Sequence, residues 1–391
     1  MRAERTSAAG AILQVCRIGF IGGAERVALA CAEVALESAR PSIMVCPPDG
    51  PLAAEAMARG VAFRAAPIAR GSPEGSLLQL PGIALQMQRA RRAVAQIAQD
   101  AKAGVVHVHH PVGAFQAAYA ASQVGAPLVL HVHETLPAPP QYALFGPWLR
   151  RRVERFICVS RKGVELVKSL GVRDERIQLI YNAVEPRYFT TPVPAAEITG
   201  PGPHIGIFGT LEPRKGHADL LQACARLRTN FPDLEIWIVG GQSSHNDAAN
   251  LNGLRSLADQ LGLSHRTHFT GLRQDIPQLM AAMDVVVSAS LGPESLPTVL
   301  IEGGALGRPV VGTSIGGVGE IISEGVTGFL APSAAPEALA QAIARALSPA
   351  GPRVAAEAAR QARQRFSPER FRAELLNAYD QVLQQRPPIA A

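Results

Sequence analysis

The chain has 391 residues, of which 47% are apolar and 18% are charged, and its formal net charge is +6. This balance is ordinary for a large soluble protein with packed cores, and it excludes a disordered chain, a collagen-like repeat and a coiled coil. The charge excess is too small to indicate a nucleic-acid-binding protein. At about 150 residues per domain, the length predicts two or three domains.

The charge is unevenly distributed along the chain. Residues 1–190 contain 22 Lys and Arg against 14 Asp and Glu, a net charge of +8, whereas residues 191–391 contain 16 against 18, a net charge of −2. A basic first half could face a phosphate-rich ligand or an anionic membrane surface, where each basic group adds about 1 kcal/mol. A solvated helix face is the alternative. The densest basic spot comprises Arg150, Arg151, Arg152 and Arg155.

The cysteines and the N-terminus bear on the cellular compartment. The five cysteines form no CxxC pair and are odd in number, which favours a reduced, intracellular protein. Residues 1–10 contain charges but no apolar core, so we expect no signal peptide. Residues 111–130 lack charges over about the length of a bilayer span, but their prolines and glycines favour strand and helix pieces. We therefore expect a cytoplasmic protein.

Short apolar runs alternate with amphipathic stretches in the first half of the chain. Near-continuous apolar strands that alternate with helices indicate a parallel sheet covered on both faces, and hence an α/β fold. The predicted strands are 11–16, 42–46, 105–108, 128–132, 155–159 and 177–180, and the predicted helices are 25–38, 77–99 and 162–169.

A proline-rich segment interrupts this alternation. Residues 190–203 contain four prolines and two glycines in fourteen residues, which is typical of a linker. We predict a first domain over 1–190, a linker over 191–203, a second domain over 204–365, and a helix over 366–386 that packs back on the first domain. The strands of the second domain are predicted at 204–208, 235–239, 267–269, 284–288 and 309–312. Because ligands of open α/β sheets bind beyond the carboxyl ends of the strands, we expect a site in the cleft between the domains.

Two glycine-containing turns each link a predicted strand to a predicted helix. Gly22 and Gly23 would let the backbone approach an anion at a helix N-terminus, although an ordinary tight turn explains them equally well. In the second domain the corresponding segment is GTLEPRKGH. Its Arg214 and Lys215 are adjacent cations, and Lys215 is one of only four lysines in the chain. Two such cations could neutralise a diphosphate; a solvated loop pair is the alternative.

The most informative segment is PESLPTVLIE, which begins at Pro293. Ser295 is predicted to be the N-cap of a helix whose first turn contains Pro297. Glu294 then precedes the helix, and Glu302 lies about two turns inside it. The N–H groups of the first turn form an anion site, so this pattern suits a nucleotide-sugar, which has hydroxyls at both ends and phosphates in the middle. Surface helix charge is the alternative for either glutamate alone.

With these motifs the chain resembles the retaining glycosyltransferases of family 4, which have the GT-B fold of two Rossmann-like, doubly wound α/β domains facing an interdomain cleft. The resemblance covers nearly the whole chain. Glu294 and Glu302 stand in an E-x7-E spacing downstream of the Arg-Lys pair, which is a specific combination. The matching motifs are, in the family's order, GGAERVAL, VLHVHE, ICVS, YNAVEPRYF, GTLEPRKGH, TGLRQDIPQLMAAMDVVVSAS, PESLPTVLIE, RPVVGTSIGGVGEII and GVTGFL.

The resemblance implies a role for each matching side chain. Arg214 and Lys215 are similar to the diphosphate clamp that replaces a metal ion, and the sequence contains no DxD motif. Glu302 is similar to the carboxylate that binds the ribose hydroxyls, and Glu294 to the one that reaches the donor sugar. His133 occupies the position of the first-domain histidine beside the donor sugar, facing the acceptor. The resemblance thus implies neither a metal nor a cofactor.

Other matching positions contribute backbone or lining contacts in the family. Leu296, Pro297 and Thr298 would place backbone near sugar and phosphate. Ser295, which precedes them, and Thr210, in the segment GTLEPRKGH, are further substrate-binding positions. Gly271 and Leu272 match the stretch that lines the base. Gly22 and Gly23 match the loop that closes over phosphate and acceptor.

Three departures from the family pattern leave the preference for base and sugar open. Ser295 stands where glycine is common, and Gly303-Gly304 stand where Ala-Met is usual. Gly241-Gln242 replaces an acidic-glycine pair and is followed by a polar insertion at 243–250.

Histidines alternate on two predicted strands. His107 and His109 share one face, and His131 and His133 share another. A zinc site is conceivable from this spacing. Histidines that line a sugar cleft are the simpler account, since no Asp or Cys partners cluster nearby in the sequence.

The resemblance implies transfer of a sugar, with retention of configuration, from a nucleotide-diphosphate-sugar to a hydroxyl, with UDP and GDP as the expected bases. We expect a glycan or lipid-linked acceptor in cell-surface polysaccharide or glycolipid synthesis. The basic first domain and the apolar loop 136–148 suggest contact with the inner face of the cytoplasmic membrane, although an ordinary loop with a buried aromatic cluster explains the latter. The alternatives are a nucleotide-sugar 2-epimerase of the same fold and a non-catalytic scaffold.

Overall fold

The computed structural model describes residues 10–68, 80–134, 140–189, 192–241 and 247–384. The chain divides into two compact units. Unit 1 comprises Met1–Ile180 together with Arg372–Ala391, and unit 2 comprises Tyr181–Phe371. None of the helices that the structure describes is long and apolar enough to span a bilayer.

Unit 1 is built on a parallel sheet of seven strands in the order β3-β2-β1-β4-β5-β6-β7. Its strands are β1 (Ile12–Val15), β2 (Ser42–Cys46), β3 (Ala62–Ala65), β4 (Val105–Val108), β5 (Leu128–Val132), β6 (Arg155–Cys158) and β7 (Ile177–Leu179). Its helices are α1 (Gly23–Glu37), α2 (Leu52–Ala58), α3 (Leu80–Asp100), α4 (Ala114–Val124), α5 (Pro140–Arg152) and α6 (Arg161–Ser169).

The apolar strands of unit 1 are buried because helices cover both faces of the sheet. On one face, Cys16 and Met44 pack with Leu29 of α1 and Leu52 of α2. On the other face, side chains of α3, α4 and α6 pack against strand residues such as Leu130. All residues of β1, β4, β5 and β6 are buried, which is the pattern of a doubly covered parallel sheet.

Unit 2 has the same architecture, with six parallel strands in the order β10-β9-β8-β11-β12-β13. The strands are β8 (His204–Phe208), β9 (Glu235–Val239), β10 (Thr267–Gly271), β11 (Val285–Ser288), β12 (Val310–Thr313) and β13 (Phe329–Ala331). The helices are α7 (His217–Leu227), α8 (Asp247–Gln260), α9 (Ile276–Ala281), α10 (Thr298–Ala305), α11 (Val318–Ile321), α12 (Pro336–Ala346) and α13 (Gly351–Arg365), followed by α14 (Pro368–Gln384), whose residues from Arg372 onward belong to unit 1.

The predicted α/β fold with two Rossmann-like, doubly wound domains is confirmed. Eleven strands were expected, and each lies within two residues of its predicted bounds. The sequence analysis missed β3 and β13. The residues of β3 are mostly exposed at a sheet edge, and β13 has only three residues, so neither shows the apolar run that marks a buried strand.

The segment predicted as a linker lies with unit 2. Contacts divide the chain at Ile180 and Tyr181, so residues 181–203 precede β8 within unit 2. The amide of Ala196 donates to the carbonyl of Gln278, 2.9 Å away. Of the polar insertion, residues 243–246 lie outside the described residues.

The expectation of an apolar loop over 136–148 is wrong for its second part. Residues 140–152 form α5, although Pro147 lies inside it, and residues 136–139 lie outside the described residues. Trp148 stacks on Phe115 at 4.2 Å between ring centroids, and Phe145 meets the same ring edge-on at 4.5 Å. The ring contacts of this half-buried aromatic cluster outweigh the loss of helix propensity at the proline.

Each sheet reverses its strand order at one point, between β1 and β4 in unit 1 and between β8 and β11 in unit 2. At such a point the loops after the two neighbouring strands run to opposite faces of the sheet, and ligands bind in the crevice between these loops. We therefore expect the ligand-binding residues in the segments that follow β1, β4, β8 and β11.

Candidate functional site

The segments after β8 and β11 bring three predicted side chains of unit 2 together. Arg214 and Lys215 lie in a 3-10 turn between β8 and α7, and Glu294 lies between β11 and α10. Oε1 of Glu294 accepts hydrogen bonds from Nη1 of Arg214 at 2.9 Å and from Nζ of Lys215 at 2.7 Å. Ser290 donates its hydroxyl to the same oxygen at 3.1 Å. The side chain of Glu294 is 13% exposed, so these charged bonds are partly shielded from water.

The backbone around Glu294 is tied to neighbouring segments. The amide of Leu291 donates to the carbonyl of Arg214 at 2.7 Å, which joins the two loops directly. The carbonyl of Glu294 accepts from the amide of Gly317, also at 2.7 Å. Gly316 has φ +55°, and a Cβ there would lie 2.0 Å from the carbonyl oxygen of Glu294. This loop therefore requires glycine at that position.

A second carboxylate, Glu212, completes the charged group. Its Oε2 accepts from Nε of Arg214 at 2.6 Å, and its Oε1 accepts from the hydroxyl of Thr210 at 2.9 Å. Two cations and two carboxylates thus balance in charge. Because lysine carries three N–H donors and arginine five, Lys215 and Arg214 can bond further acceptors while they hold the glutamates.

Helix α10 begins later than the sequence analysis predicted. It starts at Thr298 with Pro297 as N-cap, so the assignment of Ser295 as N-cap is wrong. A cap at Ser295 would place Leu296 in the first helical turn directly before a proline, where helical conformation is sterically disfavoured. Glu302 is consequently the fifth helical residue, about one turn into the helix rather than two. Leu296 is buried, whereas Thr298 is half-buried at the helix start.

Gly271 and Leu272 lie at the carboxyl end of β10. The side chain of Leu272 is 82% exposed. Its Cγ lies 2.2 Å from where a Cβ on Gly241 would stand, so the leucine lies against the segment that follows β9. An exposed apolar side chain at this edge of the sheet can contact a planar base.

The glycine pair of unit 1 lies at the start of α1, as predicted. The amide of Gly22 donates to Oε2 of Glu25 at 3.1 Å, which closes the first turn of the helix. Gly22 has φ −109°, so its backbone is not in the left-handed region. Nothing lies within 4 Å of a Cβ built on Gly23. Burial raises the pKa of Glu25.

His133 follows β5, and its ring contacts a second histidine. Its Nε2 lies 3.3 Å from Nδ1 of His109. Burial lowers the pKa of His133 to about 3, so the ring is neutral near pH 7. Oε2 of the next residue, Glu134, accepts a hydrogen bond from the hydroxyl of Tyr142 at 2.8 Å, and burial raises the pKa of Glu134.

Four histidines at the carboxyl ends of β4 and β5 form one stack in unit 1, in which three rings are buried and His133 is half-buried. We call it the histidine stack: His107, His109, His131 and His133. Neighbouring ring centroids lie 4.4 to 5.6 Å apart. The expectation that no cysteine would lie nearby is wrong, because α1 places Cys31 beside this stack. Sequence spacing could not show this, since the contact joins residues 76 and 100 positions apart.

Four contacting polar residues escaped the sequence analysis. Ser290 and Glu212 bond the predicted cation–carboxylate group, and both stand within four residues of a predicted site residue. Gln14 accepts from Nε2 of His109 at 2.9 Å. The signal in the sequence was a glutamine within the otherwise apolar strand Ile12–Val15, and the structure buries this glutamine fully. Glu134, next to His133, stands in the quoted VLHVHE motif.

Family models match both units. The model "Glycosyltransferase Family 4" matches residues 21–188, and the model "Glycosyl transferases group 1" matches residues 202–349. A D-inositol 3-phosphate glycosyltransferase of Mycobacterium sp. (strain JLS) is 33% identical over 202 residues, which are 50% of this chain and 45% of that protein. The lipopolysaccharide core biosynthesis glycosyltransferase LpsE of Rhizobium meliloti (strain 1021) is 31% identical over 188 residues, 46% and 50% of the two chains. The matches thus span about half the length of these relatives.

Solved structures resemble the whole chain. HepE from Anabaena, in complex with UDP and glucose, has a TM-score of 0.79 at 25% identity and covers 95% of this chain and 100% of its own. A glycosyltransferase from Rickettsia africae has a TM-score of 0.79 at 22% identity, with 97% and 100% covered. The chain therefore belongs to the glycosyltransferases of the GT-B fold that the family 4 and group 1 models describe.

Proposed function

We propose that this protein is a retaining, metal-independent glycosyltransferase that moves a sugar from a nucleotide-diphosphate-sugar to a hydroxyl of a glycan or lipid-linked acceptor. The convergence of Arg214 and Lys215 on Glu294, at the strand-order reversal of unit 2, carries the proposal. This group lies in the loops where a doubly wound sheet binds its ligand. The relatives support a sugar transfer by their names, and HepE supports a nucleotide-sugar donor because it binds UDP and glucose.

In the proposed reaction the cations stabilise the departing diphosphate. The bond between the anomeric carbon and the phosphate oxygen breaks, and negative charge develops on that oxygen. N–H groups of Arg214 and Lys215, together with the first-turn amides of α10 from Thr298, are positioned groups of the required sign. The acceptor oxygen attacks from the face that the diphosphate leaves, and its proton passes to the departing phosphate oxygen. Configuration is thereby retained.

The remaining site residues select the donor. Glu294 would hold the sugar hydroxyls, since its carboxylate is fixed by three donors. Glu302 would bind the ribose hydroxyls. Leu272 and Gly271 would line the base, for which UDP and GDP are the first candidates. His133, being neutral, would bond a sugar or acceptor hydroxyl without adding charge.

We place the acceptor side in unit 1 and at the inner face of the cytoplasmic membrane. Arg150, Arg151, Arg173 and Arg176 line one cavity of about 360 Å³ in unit 1. Such a cluster attracts anionic headgroups. Flotation with liposomes that contain phosphatidylglycerol should show binding that salt reverses, and phosphatidylcholine liposomes serve as the control. Equal binding to both would contradict the membrane contact.

The deciding experiment is a donor screen with UDP-, GDP- and ADP-sugars, with products read by mass spectrometry with and without acceptor mixtures. A transferase produces a nucleotide diphosphate and a glycosylated acceptor only when acceptor is present. Conversion of the donor sugar alone would identify a 2-epimerase. No donor binding by calorimetry would identify a scaffold.

A further inference from the structure

Cys31 and two members of the histidine stack meet in the interior of unit 1. Cys31 comes from α1, His107 from β4 and His131 from β5. All three residues are completely buried. One potential ligand atom of each lies within 4.8 Å of the other two, which small side-chain movements reduce to the spacing of ligands around one metal ion.

The imidazole nitrogens of this trio lack the partners that buried polar groups normally have. Neither ring nitrogen of His131 has a hydrogen-bond partner among the described residues, and the same holds for Nε2 of His107. The great majority of buried side-chain nitrogens and oxygens are hydrogen-bonded, so three such atoms at one place need an explanation. A bound cation supplies a partner to two of the three, Nε2 of His107 and one nitrogen of His131.

Tyr379 of α14 holds one of these rings in a suitable orientation. Its hydroxyl oxygen lies 2.8 Å from Nδ1 of His107. With hydrogen on Nδ1, the ring donates to Tyr379, and Nε2 keeps its lone pair for a metal. Metal-binding histidines commonly have such a partner on the second nitrogen. Gln14 fixes Tyr379 in turn by donating to the same hydroxyl at 3.1 Å.

The charge of the trio selects the ion. It offers one thiol and two neutral imidazoles, with no carboxylate among them. A divalent ion would leave a net positive charge in a fully buried site, whereas a monovalent ion with one thiolate leaves none. A thiolate with two imidazoles in a three-coordinate arrangement suits copper.

We propose that Cys31, His107 and His131 bind one Cu(I) ion. Binding replaces the thiol proton of Cys31, which leaves to solvent, and forms one Cu–S and two Cu–N bonds without a change of oxidation state. The three residues have no exposed surface, so exchange of the ion with solvent requires a local opening of unit 1.

A second trio, His109, His131 and His133, also has closely spaced nitrogens. Its His109 already bonds Gln14 through Nε2 and His133 through Nδ1. Binding there would break at least one of those hydrogen bonds, whereas the first trio gives up only the Cys31 proton. The trio with Cys31 is therefore the site.

The test is the copper content of the full chain, expressed in copper-supplemented medium and purified without oxygen. We expect about one copper per chain by mass spectrometry, and an X-ray absorption spectrum of Cu(I) with one sulfur and two nitrogen ligands. Cys31→Ser should lose at least about 100-fold in Cu(I) affinity against a competing chelator, more than loss of an outer partner causes. Cys224→Ser is the matched control, because Cys224 is an equally buried thiol in unit 2.

Circular dichroism establishes that each variant is folded, and His131→Gln is a second variant should Cys31→Ser fail to fold. Copper absent from the wild-type protein would overturn the proposal. So would full copper content in both folded variants, or stoichiometric Zn(II) in place of Cu(I). Because metal content is measured without substrate, these results are independent of whether the protein transfers sugars.

Discussion

At the scale of single residues, the charged side chains of the unit 2 site form one hydrogen-bonded group, which their order in the sequence did not indicate. Arg214, Lys215 and Glu294 were predicted as site residues, and the structure joins them through one carboxylate oxygen. The sequence could not show this pairing, since 79 positions separate Lys215 from Glu294. Glu294 therefore holds the cations in place as well as being a candidate sugar ligand.

Lys215→Ala should reduce kcat by about 10²- to 10³-fold, the usual effect of removing one preorganised donor to developing negative charge. The measurement is turnover with the donor identified in the screen. Lys162→Ala is the control, because Lys162 is exposed and its ion pair with Glu165, three residues further on, is of little energetic weight. Near-normal turnover of Lys215→Ala would remove the diphosphate clamp from the mechanism.

Gly316→Ala should displace the loop of Glu294, because the new Cβ would stand 2.0 Å from the carbonyl oxygen of Glu294. We expect a loss of about 3 kcal/mol or more in the free energy of unfolding of unit 2, from backbone strain and overpacking together. Gly307→Ala separates the two effects: Gly307 has φ +69° but open space around its Cβ position, so strain alone predicts about 1–2 kcal/mol. Equal losses in chemical denaturation would contradict the contact.

At the scale of elements, buried strands were predictable and edges and interrupted helices were not. Apolar runs such as Val285–Ser288 mark a strand with both faces covered. The three residues of β13 are too few for such a pattern. In α5, Pro147 indicated a loop, whereas the aromatic contacts of Trp148, a tertiary effect, stabilise a helix.

The last helix contributes a polar contact to the core of unit 1. Tyr379→Phe removes the hydroxyl that bonds Gln14 and His107, and leaves both groups buried without that partner. We expect unit 1 to lose about 2–4 kcal/mol of unfolding free energy, since each unsatisfied buried group costs about 1–3 kcal/mol. Tyr119→Phe is the control, because Tyr119 lies half-buried on α4. Equal stability of the two variants in urea would show that the hydroxyl contributes nothing.

At the scale of the whole molecule, the two units differ in their response to acid. In unit 1, burial lowers the pKa of His110 and His133 to about 3, and lowers the pKa of the other members of the histidine stack well below the usual value. In unit 2, burial lowers the pKa of His217 to about 4. A folded pKa below the unfolded value means that the unfolded chain binds more protons, so stability decreases as the pH decreases.

We expect unit 1 to lose stability more steeply than unit 2 between pH 6.5 and 5. The stabilisation from each neutral histidine is fully present above pH 6.5, the unfolded pKa, and is lost as pH falls towards the folded value. At pH 5 the loss is up to about 2 kcal/mol for each histidine. Glu25 and Glu134, whose pKa values burial raises, act in the opposite direction but are fewer.

The two tryptophans of the chain allow each unit to be followed separately. Trp237→Phe leaves Trp148 in unit 1 as the only tryptophan, and Trp148→Phe leaves Trp237 in unit 2. Thermal unfolding by fluorescence at pH 7, 6 and 5 should show the larger fall in Tm for the Trp148 signal. A steeper fall of the Trp237 signal would contradict this prediction.

The path of the chain has a consequence for biosynthesis. Unit 1 contains both the first and the last of the segments that the structure describes, and its interior hydrogen bond from Gln14 to Tyr379 spans 365 positions. Because the ribosome synthesises the chain from its N-terminus, all of unit 2 emerges before Tyr379. Unit 1 is therefore synthesised first but completed last. Until Tyr379 emerges, Gln14 and His107 lack their hydrogen-bond partner, although all of unit 2 is already available to fold.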